Sequence, residues 1–260
     1  MVFIDYHVHT AMSLDAKGEI IDFVENAKKK GLAEIGISDH FHFSEPSYSM
    51  TIKNLPEYKR KIEAAKIQSG FQLKVGLEAD YLQGCEDRIR KILREPTFDY
   101  LIGSVHFIDD WGFDDPRQIA NFQKWNIDKL YSTYFSLVKE CAQSKLFDVI
   151  GHVDLIKKFG HRPKSDMTSI FLETIESLKK SSVCVEVNTN GLQAPCKEIY
   201  PSEFFLKLCF EHGIPVTLGS DAHSPGNVGQ EFDKALELLR EIGYTQIARL
   251  TRRKRESIDL

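Results

Sequence analysis

The chain has 260 residues, 42% of them apolar and 28% charged, with a formal net charge of −4. A chain of that size can bury a full core without disulfides or a structural metal, so any metal it holds serves chemistry rather than folding. The acidic balance and the lack of a basic tail argue against nucleic acid as a partner, and no apolar stretch approaches membrane-spanning length. The five cysteines, Cys85, Cys141, Cys184, Cys196 and Cys209, form neither a CxxC pair nor a dense framework. Disulfides and a thiolate zinc site are therefore not expected, and Cys184 and Cys209, in apolar segments, read as buried thiols. The opening MVFIDYHVHT has no basic or apolar region of the kind that directs secretion, so the cytoplasm is the expected compartment.

In chain order, the first strand-like run is VFIDYHV near residue 2, followed by a helical pattern at 20–31 (IIDFVENAKKKG). LAEIGISDH near 32 and FQLKVGLEADY near 71 read as the second and third strands. A helical pattern at 89–95 (IRKILRE) leads to FDYLIGSVHF near 98, the fourth strand. YSTYFSLVKECAQS (131–144) is helical, FDVIGHVD near 147 a strand, and IFLETIESLKKS (170–181) helical again. VCVEVNT near 183 is the sixth strand; PSEFFLKLCFEHG (201–213) opens on residues that start helices. IPVTLGSD near 214 is the seventh strand, and DKALELLREIGY (233–244) ends the alternation with a helix stopped at Gly243.

Strands alternating with helices imply parallel pairing with the helices outside. Seven such units fit a seven-stranded α/β barrel or a near relative of the eight-stranded form, although an open doubly wound sheet has the same rhythm. Two polar excursions interrupt it, at 43–53 and at 109–128, where barrel enzymes build their pockets. No repeat, low-complexity tract or linker marks a boundary, so residues 1–260 read as a single domain.

Most of the nine histidines fall where strands end. His7 and His9 are two apart in the first strand, so at a side-chain period of two they face the same way. His40 and His42 repeat that spacing after the second strand. Glu78 closes the third, His106 the fourth, His152 the fifth, and Asp221 with His223 the seventh; Asp15 follows the first in a short loop. One HxH pair is weak evidence, since such histidines often only hydrogen-bond at a strand edge. An apolar strand that ends in His or Asp costs desolvation unless partners exist, and here that recurs at most strand ends. In a closed parallel sheet those ends converge on one opening, and imidazole with carboxylate is the ligand set of zinc, iron or manganese. His161 and His212 are read as non-ligands, His212 because it sits at a helix C-terminus, where the dipole favours it.

These residues resemble the polymerase-and-histidinol-phosphatase (PHP) superfamily of metallohydrolases. DYHVHT is similar to its first motif, SDH at 38–40 to its second, and GLEADY at 76–81 with SVH at 104–106 to its third. GHVD at 151–154 and SDAH at 220–223 are similar to the last two. The resemblance implies a distorted (β/α)7 TIM-like barrel with its metal site at the C-terminal ends of the strands. It further implies three divalent ions, zinc first, with iron or manganese as alternatives. His7, His9, Glu78 and Asp221 would hold the first, and Glu78 would bridge to a second completed by His106 and His152. Asp15, His40 and His223 would hold the third. Many members have a histidine where Asp15 stands here, which changes the charge of that position.

Within the superfamily the chain looks most like the histidinol-phosphatase branch, from His42, FGHRP at 159–163 and EVNTNGLQAPCKEIYPS at 186–202. That implies hydrolysis of L-histidinol phosphate to L-histidinol and phosphate in histidine biosynthesis, by a metal-activated hydroxide. Glu78, His106 and Asp221 would be central to catalysis, and His42, Arg162 and Lys197 would contact the phosphate. Relatives often have an arginine near Gln193, a departure that weakens the assignment of this residue to phosphate binding. The runner-up is a phosphoesterase acting on another small phosphomonoester or a nucleotide. The implied partner is a small phosphorylated molecule, and Asp109, Asp110 and Trp111 could receive its amine or imidazole. A homo-oligomer remains open.

Overall fold

The computed structural model of the protein describes residues 3–42, 49–50, 54–84, 86–92 and 98–260. Cys85 and all of the 43–53 excursion except 49 and 50 lie outside the described residues. Each of the seven strand-like runs forms parallel sheet, but two of them break. The first is β1 (Phe3–Asp5); the second splits into β2 (Leu32–Ile37) and β3 (His40–Phe41), and the third into β4 (Gln72–Val75) and β5 (Glu78–Asp80). β1, β2 and β4 form one sheet at the N-terminal end. β3 and β5 continue into a second sheet with β6 (Ile102–Ser104), β9 (Val149–Ile150), β10 (Cys184–Asn188) and β11 (Val216–Gly219), in the order β11-β10-β9-β6-β5-β3.

The two sheets close on each other. Tyr6 N donates to Leu218 O at 3.0 Å and His9 N to Ala222 O at 2.9 Å, seating the end of the first strand against the seventh. On the other side Ile102 N donates to Leu77 O at 2.9 Å. The result is a seven-position parallel barrel, distorted where the second and third strands break. Packing inside the barrel is close where the strands break. Tyr100 fills the interior so closely that a Cβ on Gly36 would lie 2.0 Å from its hydroxyl, and one on Gly76 2.3 Å from its ring. The Tyr58 hydroxyl, from the helix over Leu55–Ser69, reaches the carbonyls of Ile37 (2.7 Å) and Gly76 (2.8 Å) and ties the two breaks together.

The helices are α1 (Ile20–Lys29), α2 (Leu55–Ser69), α3 (Glu86–Ile92), α4 (Ile127–Gln143), α5 (Thr168–Ser181), α6 (Glu203–Glu211) and α7 (Phe232–Ile242). In α1 a capping box of Glu19 and Asp22 starts the helix, and Ile20, Phe23, Val24 and Ala27 form its buried stripe. Helix α2 is not among the segments picked out above, because its apolar stripe is only Leu55, Tyr58, Ile62 and Ala65 in a charged sequence. Cys184 and Cys209 are buried free thiols as expected. His212 caps α6, its ring 2.9 Å from Leu208 O.

Two hairpins depart from the alternation. The first, β7 (Phe107–Ile108) with β8 (Trp111–Gly112), opens the 109–128 excursion, which continues as a 3-10 run over Pro116–Lys124. The second, β12 (Gln246–Thr251) with β13 (Lys254–Asp259), closes the barrel's N-terminal end. There the buried Glu34 carboxylate accepts from Tyr6 OH and from Arg249 Nη2 at 2.8 Å, and Lys74 Nζ donates to Thr251 Oγ1 at 2.6 Å. A buried carboxylate needs such partners, and the hairpin supplies one of them. Among the described residues no helix is long and apolar enough to cross a membrane.

Candidate metal centre

The strand ends bring His7, His9, His40, Glu78, His106, His152, Asp221 and His223 to one opening. Glu78 is its hub. One oxygen lies 3.3 Å from His7 Nε2, 3.6 Å from His9 Nε2 and 2.6 Å from His40 Nδ1. The other accepts from Ser104 Oγ at 2.6 Å and lies 2.9 Å from His152 Nε2 and 3.6 Å from His106 Nε2. Asp221 Oδ1 is 3.2 Å from His9 Nε2 and 3.7 Å from His7 Nε2. Asp15 Oδ2 stands 3.5 Å from His40 Nε2 and 3.6 Å from His223 Nε2.

Whether these groups suit a metal can be judged from their spacing. Zinc bonds of about 2.1 Å in a tetrahedron place the ligand atoms roughly 3.4 Å apart. The four distances linking His7, His9, Glu78 and Asp221 run from 3.2 to 3.7 Å. His7 Nε2 and both nitrogens of His9 are fully buried, yet none has an aligned hydrogen-bond partner. Atoms so placed aim at a common centre rather than at each other, and leaving them bare is costly. Three overlapping groups have this character: His7, His9 and Glu78; Glu78, His106 and His152; His9, His40 and His223. The donor set fits a multi-metal site of the zinc type. The first two groups are buried, whereas Asp15 and His223 are 40% and 31% exposed and lie at the mouth.

Charge reinforces the convergence. Burial opposes ionisation of Glu78, but His7, His40 and His106 outweigh it and hold its carboxyl well below the usual range. Burial likewise disfavours the His106 imidazolium, but Glu78 and Asp80 outweigh it and raise its pKa to about 9. His9 goes the other way, lowered by burial and by its neighbours His40 and His223.

A second layer of groups, which carry no spacing signal in the sequence, orients the first. Asp80 Oδ1 lies 2.5 Å from His106 Nδ1, and Glu186 Oε1 2.5 Å from His7 Nδ1. Asp39, buried and with its pKa pushed up to about 6 by desolvation, accepts from Thr10 N (2.6 Å) and Ser13 Oγ (2.8 Å), fixing the turn after His9. Asp5 accepts from Ser220 N and Gly229 N, both at 2.9 Å, and ties the first strand to the loop of Asp221 and His223. A carboxylate behind a ligating histidine fixes its tautomer and orientation.

Above the centre is a cavity of about 270 Å³, whose wall includes Lys158, Asn190, Gln193 and Tyr200. A neighbouring one of about 340 Å³ shares Asp15, His40, His106, Asp114 and Lys158 and adds Asp115, Arg117 and Gln118. Lys158 Nζ donates to Asp114 O (2.9 Å) and Oδ2 (3.2 Å). Arg162 and Lys197 line neither cavity; Arg162 is paired with Glu198 at 2.6 Å. His42 is buried, with Nε2 3.8 Å from Asp80 Oδ2. Asp109 and Asp110 are exposed at a hairpin tip, and Trp111 packs against Trp125 and Phe122, so the cavity's acidic wall is Asp114 and Asp115 instead. His161 stacks on Phe122 at 4.2 Å, away from the ligands.

Residues 5–190 match the PHP domain family. The chain belongs to that family. It is 36% identical to a protein of Deinococcus radiodurans named "Probable histidinol-phosphatase", over 92% of this chain and 93% of the relative. It is 25% identical to the histidinol-phosphatase of Lactococcus lactis, over 94% of this chain and 93% of that one. Among solved structures, the histidinol phosphate phosphatase of Lactococcus lactis, crystallised with zinc, L-histidinol and phosphate, superposes with a TM-score of 0.86. That match is 24% identical and covers 98% of both chains, so the two share a fold over that length.

Proposed function

We propose that this PHP protein is a metal-dependent phosphomonoesterase that hydrolyses L-histidinol phosphate to L-histidinol and phosphate. The observation that carries the reading is the convergence of five imidazoles on the two oxygens of one buried carboxylate, Glu78, beneath a small cavity. The substrate is proposed from the likeness, over nearly the full length of both chains, to the Deinococcus relative.

In this reading His7, His9, Glu78 and Asp221 hold one ion, Glu78, His106 and His152 a second, and Asp15, His40 and His223 a third. Zinc is the first choice, with iron or manganese as alternatives. Divalent ions bound there neutralise phosphoryl charge and acidify water. The chain's own contribution is placement. Glu78 holds ligand atoms of both inner positions, while Asp80 and Glu186 fix the rings of His106 and His7. Ser104 fixes one oxygen of Glu78 through its 2.6 Å hydrogen bond, so the carboxylate does not turn between its partners.

On the substrate side, Lys158 projects a cation into the cavity, where it can meet a phosphate oxygen. The resemblance adds His42, Arg162 and Lys197 to the phosphate contacts; Arg162 is paired with Glu198 at 2.6 Å and would have to give up that partner to join them. The cavity volume of about 270 Å³ suits a small molecule.

The test is phosphate release from a panel of monoesters by purified, metal-replete protein. Histidinol phosphate is expected to be turned over with the highest kcat/KM. Equal or faster turnover of unrelated monoesters or nucleotides would overturn the substrate, and absence of any phosphate release would overturn the activity.

A further inference from the structure

Glu186, which is not among the proposed ligands, reaches ligands of two different ion positions. It lies in β10, buried, with Oε1 2.5 Å from His7 Nδ1. Its other oxygen accepts from the backbone N–H of His152 at 2.7 Å and from Asn188 Nδ2 at 3.2 Å. His152 has a φ of 21°, a region a side-chain-bearing residue rarely occupies, so its backbone has to be held in place. Asn188 Nδ2 also reaches Asp221 Oδ2 at 3.5 Å. The neighbouring strand leaves room for this arrangement: a Cβ on Gly219 would stand 1.9 Å from Glu186 Oε1. Asp80 makes a useful contrast, since among the proposed ligands it touches His106, of the second position, and no ligand of the first.

We propose that Glu186 is a positioning residue that couples the first and second ion positions, so that filling one raises the affinity of the other. An ion on His7 fixes that ring, the ring fixes Glu186, and Glu186 fixes the strained backbone that presents His152. By linkage the effect runs equally in the other direction. The inference rests on the proposed reading of two inner positions that share Glu78.

The experiment is a zinc titration of chelator-stripped protein, in competition with a chromophoric chelator, with bound metal counted by elemental analysis. Wild type is expected to take up at least two ions, the inner pair binding together. E186Q keeps the size of the side chain but loses its charge, and is expected to weaken both inner ions by about 10- to 100-fold. D80N is expected to weaken one. Circular dichroism and thermal melting of the stripped variants report whether the fold persists. If E186Q does not fold, E186D, which keeps the charge but shortens the reach, is expected to give the same two-ion loss. Loss of a single ion in the folded Glu186 variant, or no loss, overturns the coupling while leaving the proposed site standing. A wild type that binds fewer than two ions overturns the site reading and the coupling with it.

Discussion

Replacing Glu78 by glutamine removes one charge without changing shape, and its cost can be worked from the contacts. The carboxylate is 1% exposed and faces five imidazole nitrogens at 2.6 to 3.6 Å. Two unit charges about 3.3 Å apart interact by about 5 kcal/mol at an effective dielectric of about 20. Losing even one such interaction with a cation held at the hub corresponds to more than about 10³-fold in affinity or rate. Glu78→Gln is therefore expected to lose at least one bound ion and to drop kcat/KM for histidinol phosphate by about 10³-fold or more. Ser104→Ala gives a graded control. It removes a single charge-assisted hydrogen bond of 2.6 Å to the same carboxylate, worth about 1.5–3 kcal/mol, or roughly 10- to 100-fold. Elemental analysis, phosphate-release kinetics and a melting curve on each variant make the assay. A folded Glu78→Gln protein with wild-type metal content and turnover refutes the bridging role, and Ser104→Ala equal to Glu78→Gln refutes the electrostatic ordering.

Protonation of the stripped protein gives a second prediction. His106, at about 9 in the fold against 6.5 unfolded, stabilises fully below pH 6.5, and that stabilisation is lost as the pH rises through 9. The span is worth about 3 kcal/mol, so Tm should fall between pH 6.5 and 9 and the fall should flatten in Asp80→Asn; a Tm that climbs over that window is the contrary result. Lys158→Ala should raise KM for histidinol phosphate about tenfold or more, as loss of a charged contact of about 1.5–3 kcal/mol requires. Arg162→Ala and Lys197→Ala should raise it less, because neither residue lines the cavity, and unchanged kinetics remove each residue from the site in turn. Leu250, 2% exposed in the hairpin beneath the barrel, should cost about 2–5 kcal/mol when cut to alanine. Urea unfolding measures it, with kcat at 25 °C expected to stay at the wild-type value; a loss below about 0.5 kcal/mol means the hairpin is not part of the core.

The sequence by itself determined the rhythm and which histidines and carboxylates gather at the strand ends. Apolar runs alternating with amphipathic helices dictate parallel strands with helices outside, and histidines two apart at a strand end must share a face. Polar groups that close apolar strands need partners, so His7, His9, Glu78, His106, His152 and Asp221 were legible as one cluster before any coordinates. Helix α2 was less legible, its narrow stripe lost among charges, and the C-terminal hairpin was invisible to a rule that expects strands to alternate with helices.

Only the tertiary structure decided what stands behind and above the ligands. Nothing in the spacing of Glu186 or Asp80 separates a strand carboxylate that holds a histidine from one that meets solvent. The difference arises when β10 and β5 bring them within 2.5 Å of an imidazole. The cavity's cation is likewise Lys158 rather than the neighbouring Arg162, because the turn after Asp154 aims one side chain into the cavity and leaves the other beside Glu198. Local pattern fixes which face of an element is apolar. Contacts between residues more than a hundred positions apart are fixed by how the barrel closes, around Tyr100 and across the junction of the first strand with the seventh.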